Sequence, residues 1–188
     1  NCDGIDGDFV RAVFVAQYGN GGASGAPYDP VDTIGRALQL AGGGKDHIYV
    51  AAGTYNESIT LVEGVSIFGG YSNDGHWTRN LAQYKTTIAW SAGTNSVRVV
   101  IAEGIDAART VLDGVEVLAG TNANPGGSSY AIWVKDSNAS LELTNVIAIG
   151  GNGGAGNPGA AGNPGADGAV GTKGDASSEN NGGITGTC

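Results

Sequence analysis

The stretch "HIYVAAGTYNESITLVEGVSIFGGYS", residues 47–72, contains three short runs rich in β-branched and aromatic residues. The runs "HIYVAA" (47–52), "SITLV" (58–62) and "VSIFGGY" (65–71) have the composition of strands. Only Glu-Gly separates the last two runs, and this gap lacks the Asn-Gly chemistry that is typical of tight hairpins. We therefore predict that the chain bends from one strand into the next, as it does on successive faces of a coil.

The same alternation of short strands and short gaps continues to residue 151. Further predicted strands are "TTIAW" (86–90), "VRVVIA" (97–102), "RTVLDGVEVLAG" (109–120), "YAIWVKD" (130–136) and "SLELTNVIAIGG" (140–151). Similar strands return after about 18 to 21 residues, which is the period of a solenoid. The aliphatic residues that mark this period are Ile48, Ile67, Ile88, Val99 and Val117. We expect these side chains to stack in one inward-facing column, because a single turn cannot bury its inner face alone.

These patterns predict an all-β fold, a parallel β-helix of about five turns. A β-sandwich is the alternative, but sandwiches need strands of about 5 to 6 residues that clear hairpins connect.

One segment, "DTIGRALQLAGGG" (32–44), changes from a strand period to a helix period. Apolar residues share one helical face, Asp32 or Thr33 can serve as N-cap, and the glycines that follow stop the helix. The apolar residues of this face are Ile34, Ala37, Leu38 and Ala41. The segment predicts one α-helix over residues 32–42.

The stretch from residue 31 to 152 resembles right-handed parallel β-helix proteins of the pectate-lyase-like superfamily. The resemblance is carried by "VAAGTYNE" (50–57), "GVSIFGGY" (64–71) and "LELTNVIAIGGNGGAG" (141–156), which are similar to motifs of bacterial surface proteins. It implies that the helix at 32–42 caps the open N-terminal end of the column. It implies little about activity, because proteins of this fold include lyases, hydrolases, adhesins and scaffolds.

The segment "GNPGAAGNPGADGAVGTKG" (156–174) repeats glycine at every third position, as collagen does. The glycines in register are Gly153, Gly156, Gly159, Gly162, Gly165, Gly168, Gly171 and Gly174. Pro158 and Pro164 favour polyproline II backbone, whose exposed amide and carbonyl groups can bond to a neighbouring strand. We divide the chain into an N-terminal acidic turn, strand and loop (1–30), the β-helix (31–152) and this Gly-X-Y tail (153–188), and expect the tail to connect copies of the chain.

The N-terminal "NCDGIDGD" (1–8) offers Asp3, Asp6 and Asp8 as oxygen ligands for calcium, although it lacks the ligand spacing of an EF-hand loop. No other cofactor is expected. The N-terminal segment 1–8 also resembles a repeated acidic Cys-Asp-Gly motif of bacterial surface proteins that are assigned as metal-binding.

Cys2 and Cys188 have no His or Cys neighbours at ligand spacing, so we predict a disulfide, within or between chains, and an oxidising extracellular setting. The metal-binding-type motif that the N-terminus resembles has a second cysteine, which is absent here, and this favours Cys188 as the partner of Cys2.

The formal charge of −9, from 18 acidic and 9 basic residues, argues against binding to nucleic acid. No apolar run approaches the roughly 18 residues that span a bilayer. Trp77 and Trp133 are candidates for stacking on sugars, and Asp113, Glu116 and Asp136 are the carboxylates that a glycosidase would need in pairs.

The expected function is that of a non-enzymatic structural protein at the bacterial cell surface or outside the cell. It would polymerise with copies of itself into filaments or a layer through stacking of the β-helix and through the tail. A carbohydrate-binding or adhesin module of a larger surface protein is the alternative, and a polysaccharide lyase or hydrolase is a lower alternative.

Overall fold

The computed structural model describes residues 8–93 and 95–171 of the chain. The chain divides into two units, Asn1–Asn157 and Pro158–Cys188, and the first holds every helix and strand described. After a 3-10 helix at Phe9–Arg11, the elements are β1 (Ala12–Val15), α1 (Ile34–Leu40), β2 (His47–Ala51), β3 (Gly53–Asn56), β4 (Ile59–Thr60), β5 (Ser66–Tyr71), β6 (Thr86–Trp90), β7 (Ser96–Glu103), β8 (Thr110–Asp113), β9 (Glu116–Ala119), β10 (Ser128–Lys135), β11 (Leu141–Thr144) and β12 (Ile147–Ile149). In the described part of the second unit, residues 158–171 form no helix or strand.

The strands form three parallel sheets, with orders β1-β2-β5-β8-β11, β10-β7-β4 and β12-β9-β6-β3. The chain visits the sheets in turn, so that each strand lies beside the corresponding strand of the previous turn. The fold is therefore a parallel β-solenoid of about four turns with one short α-helix. This confirms the predicted fold class, although the expected count of about five turns is slightly too high. Within the described residues, no helix has the length and hydrophobicity needed to cross a membrane.

The spacing between turns differs from the predicted period. Thr110 of β8 lies beside Leu141 of β11, and Glu116 of β9 lies beside Ile147 of β12, so each pair is 31 positions apart. The predicted period of about 18 to 21 residues is therefore wrong for the later turns. It holds where Ile67 follows Ile48, because these residues are partners in adjacent strands, whereas the other short spacings lead from one sheet to another.

The core consists of several stacked columns rather than one. All five predicted column residues are 0% exposed and belong to one hydrophobic cluster, but they lie in three sheets. One column runs through Val13, Ile48, Ile67, Leu112 and Leu143. A second runs through Tyr55, Ile88, Val117 and Ala148. The prediction of a single column is wrong because inward-facing residues from different sheets have the same aliphatic character.

The short gaps in the sequence are bends between sheets, as predicted. Gly114 separates β8 from β9, and Asn145 separates β11 from β12; their φ angles are +69° and +49°. Glycine and asparagine are the residues that enter this left-handed region most readily. The two bends lie over one another, since the Gly114 amide donates to the Thr144 carbonyl at 3.1 Å.

Helix α1 covers the N-terminal end of the column, as the resemblance implied. The hydroxyl of Thr33 accepts from the Arg36 amide at 3.3 Å and so forms the N-cap. Ile34 and Ala37 are fully buried, and their helical face packs against the hydrophobic core. The Glu57 carboxylate accepts the amides of Ile34 and Gly35 at 2.8 Å each, which satisfies donors that a helix leaves open at its N-terminus.

The outer edge of β1 is also paired. The Phe14 amide donates to the Gly25 carbonyl at 2.9 Å, and the Val31 amide donates to the Phe14 carbonyl at 3.0 Å. The segment that follows β1 therefore supplies hydrogen bonds that a preceding turn would otherwise supply.

Leu112 and Leu143 occupy the same column one turn apart but have very different exposure, 0% and 43%. We predict that Leu112→Ala lowers the free energy of unfolding by about 2–5 kcal/mol, since it leaves a cavity in a packed core. Leu143→Ala should cost about 1 kcal/mol, because much of this side chain already contacts solvent. Urea denaturation of dilute protein measures both, and equal losses would contradict the arrangement described.

Candidate functional site

The last turn of the solenoid, formed by β10, β11 and β12, is the most exposed part of the fold. Each of these strands is the outermost member of its sheet, and no strand of the described chain lies beyond it. Large apolar side chains on this turn are unusually accessible: Val134 is 49%, Leu143 43%, Ile147 50% and Ile149 54% exposed. We call β10, β11 and β12 together the uncovered turn.

Its exposed residues have two different origins. Leu143 points into the core column and is exposed because no further turn of the described chain covers it. Ile147 and Ile149 point outward, since they lie beside the partly exposed Glu116 and Leu118 while Ala148 between them follows the buried Val117. The uncovered turn thus combines an open core with an apolar side surface.

A fifth turn begins after β12 but does not form strands. The Asn122 amide donates to the Asn152 carbonyl at 2.9 Å, and the Gly154 amide donates to the Gly127 carbonyl at 2.8 Å. This approach requires glycine, because a Cβ on Gly151 would overlap the Gly120 carbonyl. The segment 150–155 therefore stacks on the loop that precedes β10.

The Gly-X-Y tail starts where the next strand would be expected. With a spacing of 31 positions, the strand after β10 would fall at residues 159–166, which read "GAAGNPGA". The glycines have no side chain that could pack in the core, and Pro164 has no backbone N–H that could donate a hydrogen bond to a neighbouring strand. Residues 158–171 accordingly contain no strand, and all of them are exposed.

The described glycines of the tail differ in environment. Gly153 closely approaches the solenoid, since a Cβ at this position would lie 3.0 Å from the Gly127 carbonyl oxygen. The later glycines of the register and both prolines are exposed: Gly156, Gly159, Gly162, Gly165, Gly168, Gly171, Pro158 and Pro164. Gly174 lies outside the described residues. The role of the triplets in connecting copies of the chain stays a prediction.

The predicted metal and disulfide residues lie almost entirely outside the described chain. Cys2, Asp3, Asp6 and Cys188 belong to the undescribed ends. Asp8 is described, and its Oδ1 accepts the Val10 amide at 3.1 Å as the cap of the 3-10 helix. Within residues 8–93 and 95–171, no three His, Cys, Asp or Glu side chains group as metal ligands would.

The two candidate tryptophans for sugar stacking have different surroundings. Trp77 is 1% exposed, and its Nε1 donates to the Pro27 carbonyl at 3.0 Å. Its ring packs against Phe14 with centroids 4.7 Å apart, so its burial argues against a stacking role. Trp133 is partly exposed on β10, but the Arg98 guanidinium lies 4.0 Å from its ring centroid and occupies one face.

The three carboxylates considered for glycosidase chemistry have separate structural contacts. Asp113 accepts hydrogen bonds from the Arg79 guanidinium and, at 2.7 Å, from Nδ2 of the Asn145 side chain. Glu116 lies 3.5 Å from the Thr87 hydroxyl, and Asp136 lies 3.2 Å from the Lys135 ammonium. Each of the three carboxylates thus contacts a different polar or charged side chain.

A groove that the sequence did not indicate lies on the outside of the early turns. Its volume is about 660 Å³, and we call it the aromatic groove. Its lining residues are Phe9, Val10, Pro27, Tyr28, Asp74, Gly75, His76 and Trp77. The signal that could have located it is the turn-forming "GAPYDP" (25–30), which presents an aromatic residue at its tip.

The chain belongs to a family of unknown function. The family described as "Protein of unknown function (DUF1565)" matches residues 17–187, which include every strand of the solenoid after β1 and the Gly-X-Y tail as far as residue 187. No curated protein and no solved structure matches the chain. Membership of this family therefore gives no information about the activity of the protein.

Asp113 is buried between Arg79 and Asn145, and this arrangement makes stability depend on pH. Burial opposes ionisation, but the hydrogen bonds from Arg79 and Asn145 outweigh it and lower the pKa of Asp113. A carboxylate whose pKa is lower in the folded state stabilises the fold above its unfolded pKa of about 4 and loses this contribution as the pH falls through the folded value.

We predict that Asp113→Asn costs about 3 kcal/mol of unfolding free energy at neutral pH. It removes the carboxylate that balances the Arg79 charge, in a site where the Arg79 and Asp113 side chains are only 17% and 10% exposed. The difference from the natural protein should shrink in urea denaturation below about pH 4. The control is Glu103→Gln, which removes an exposed pair with Lys135 and should cost less than about 1 kcal/mol. A loss for Asp113→Asn that is constant down to about pH 3 would contradict this account.

Proposed function

We propose that this protein is a non-enzymatic structural protein that associates with copies of itself through the uncovered turn. The observation that supports this is the difference between the two ends of the solenoid. Helix α1 and the segment 25–31 cover the first turn, whereas the described chain places no helix or strand over the last one.

The uncovered turn has the properties of a surface that gains from association. Edge strands present backbone amides and carbonyls that can pair with another chain. Here three such edges lie around an open hydrophobic core, with Leu143 in its column and Val134, Ile147 and Ile149 nearby. Covering the inward-facing Leu143 would add roughly 1 kcal/mol, the value for a half-exposed aliphatic side chain.

The covered N-terminal end limits how copies can associate. Simple head-to-tail stacking would require the uncovered turn of one copy to replace helix α1 on another. Two uncovered turns facing one another avoid this, because the contact is related by a two-fold axis and uses the same surface twice. Facing edge strands would then run antiparallel, which is a favourable ladder.

A filament or layer requires a second contact besides this pair. The Gly-X-Y tail and the terminal cysteines supply it in our proposal, together with an extracellular or bacterial cell-surface location. The arrangement of the strands in three parallel sheets, with one strand of each complete turn in each sheet, also supports placing the fold in the pectate-lyase-like superfamily. The family model also matches residues of the tail, up to residue 187. This favours a function for the tail over an extension without a function.

The test is sedimentation velocity of the reduced protein over a range of concentrations. We expect concentration-dependent association, and Leu143→Lys should weaken it at least about tenfold, since association would bury an unpaired charge. The control is Val62→Lys, because Val62 is 45% exposed, close to the 43% of Leu143, and lies between β4 and β5.

Two outcomes would contradict the proposal. One is a protein that stays monomeric at every concentration under both reducing and oxidising conditions. The other is equal weakening by Val62→Lys and Leu143→Lys. Non-reducing electrophoresis separately shows whether Cys2 and Cys188 link copies of the chain covalently.

A further inference from the structure

The aromatic groove lies between two loops, residues 24–29 and 72–78, that side-chain hydrogen bonds hold in place. In the first loop, Asp29 accepts the amide and the hydroxyl of Ser24 at 2.8 Å each. The Asp29 amide donates to the Ala26 carbonyl at 3.0 Å and closes a tight turn. Tyr28 lies at the tip of this turn and is 93% exposed. The turn therefore presents an aromatic ring to solvent on a fixed backbone.

The second loop is organised around Asp74. Its Oδ1 accepts the Ser72 hydroxyl at 2.6 Å and the His76 amide at 3.0 Å. Trp77 follows with a φ of +56°, which is unfavourable for a large side chain. Strained residues of this kind persist where the surrounding structure fixes them, and they are frequent at functional sites.

Trp77 joins the two loops. Its indole donates to Pro27 in the first loop, while its ring packs in an aromatic cluster with Phe14 and Tyr71. The floor of the groove is thus anchored to β1 and β5, and the groove exists before any ligand arrives. Preformed grooves of 300 to 1,000 Å³ are typical of small-molecule sites.

The chemistry of the rim combines aromatic surface with hydrogen-bonding groups. Phe9 is 39% and Tyr28 93% exposed, and the His76 side chain is 80% exposed beside Asp74. Tyr18, which is 52% exposed, extends the surface next to Tyr28. A matching ligand needs apolar faces to lie on the rings and hydroxyl groups to bond to the rim, which are the properties of a sugar.

Charge selects among sugars. Hydrogen bonds from Ser72 and His76 lower the pKa of Asp74, so this carboxylate is ionised at neutral pH. The whole chain carries a formal charge of −9. Both features disfavour an acidic sugar such as a uronic acid.

We propose that the aromatic groove binds a neutral carbohydrate chain, with Tyr28 as its principal stacking platform and Asp74 and His76 as hydrogen-bonding groups. The site is distinct from the uncovered turn and does not depend on self-association. It also differs from the predicted sites at Trp77 and Trp133, since Trp77 supports the groove from below and Arg98 covers one face of Trp133.

The experiment measures binding of the full chain to neutral polysaccharides (a glucan, a mannan and a galactan) and to polygalacturonate by affinity electrophoresis and calorimetry. We expect at least one neutral polymer to bind and polygalacturonate not to bind. Tyr28→Ala should weaken binding at least about tenfold, the loss of about 1.4 kcal/mol. The control is Tyr130→Ala, which removes another exposed tyrosine, 40% exposed, from β10.

Asp74→Asn distinguishes a sugar site from a cation site. Asparagine keeps the oxygen that accepts from Ser72 and His76, so the loop should persist. The loss of one charged hydrogen-bond acceptor should weaken neutral-sugar binding by about three- to tenfold without abolishing it. Three results would overturn the proposal: no binding to any neutral polymer, equal loss with Tyr130→Ala, or binding of tetramethylammonium that Asp74→Asn abolishes. Repeating the measurements on Leu143→Lys separates this site from the proposed self-association.

Discussion

Each turn of this solenoid depends on the next turn to cover its core and to pair its backbone. Leu112 is fully buried because Ile67 lies on one side of it and Leu143 on the other, and Leu143 is nearly half exposed because it has a neighbour on one side only. The same holds for the backbone, since a parallel strand satisfies its outward amides and carbonyls only when another strand lies beside it. Every stack of this kind therefore has two ends that must be covered in some other way.

The two ends of the solenoid are covered in different ways. At the first turn, α1 places Ile34 and Ala37 over the core, and the segment 25–31 pairs with β1. At the last turn, the chain begins to stack again at 150–155 and then enters a glycine- and proline-rich sequence. Such a sequence is unsuited to continue a sheet, because it lacks side chains for the core and amides at proline. The described part of this sequence, residues 158–171, accordingly forms no strand that continues the solenoid.

Local patterns predicted the elements of the fold better than their arrangement. The strand at 86–90 is found at those positions, and the helix predicted at 32–42 is observed at Ile34–Leu40, because β-branched composition and a capping threonine act locally. The period was wrong for the later turns because sequence alone does not show that Ile67 and Ile88, which are 21 positions apart, belong to different sheets. The aromatic groove was missed for a similar reason: Tyr28 and Asp74 are far apart in sequence, and only the packing of Trp77 against Pro27 brings their loops together. Trp77 is a candidate for sugar stacking from the sequence because nothing local shows that its ring is buried.

The positions of the two proposed surfaces make their functions compatible. The aromatic groove is built from segments next to β1 and β5, whereas the uncovered turn consists of β10, β11 and β12. A pair formed through two uncovered turns would leave both grooves accessible, one on each copy. Two weak carbohydrate sites on one rigid particle bind a polymer more tightly than either site alone, because the second contact becomes intramolecular. Self-association would then strengthen carbohydrate binding without any change in the groove, and a structural protein at a cell surface could in this way hold the polysaccharide around it.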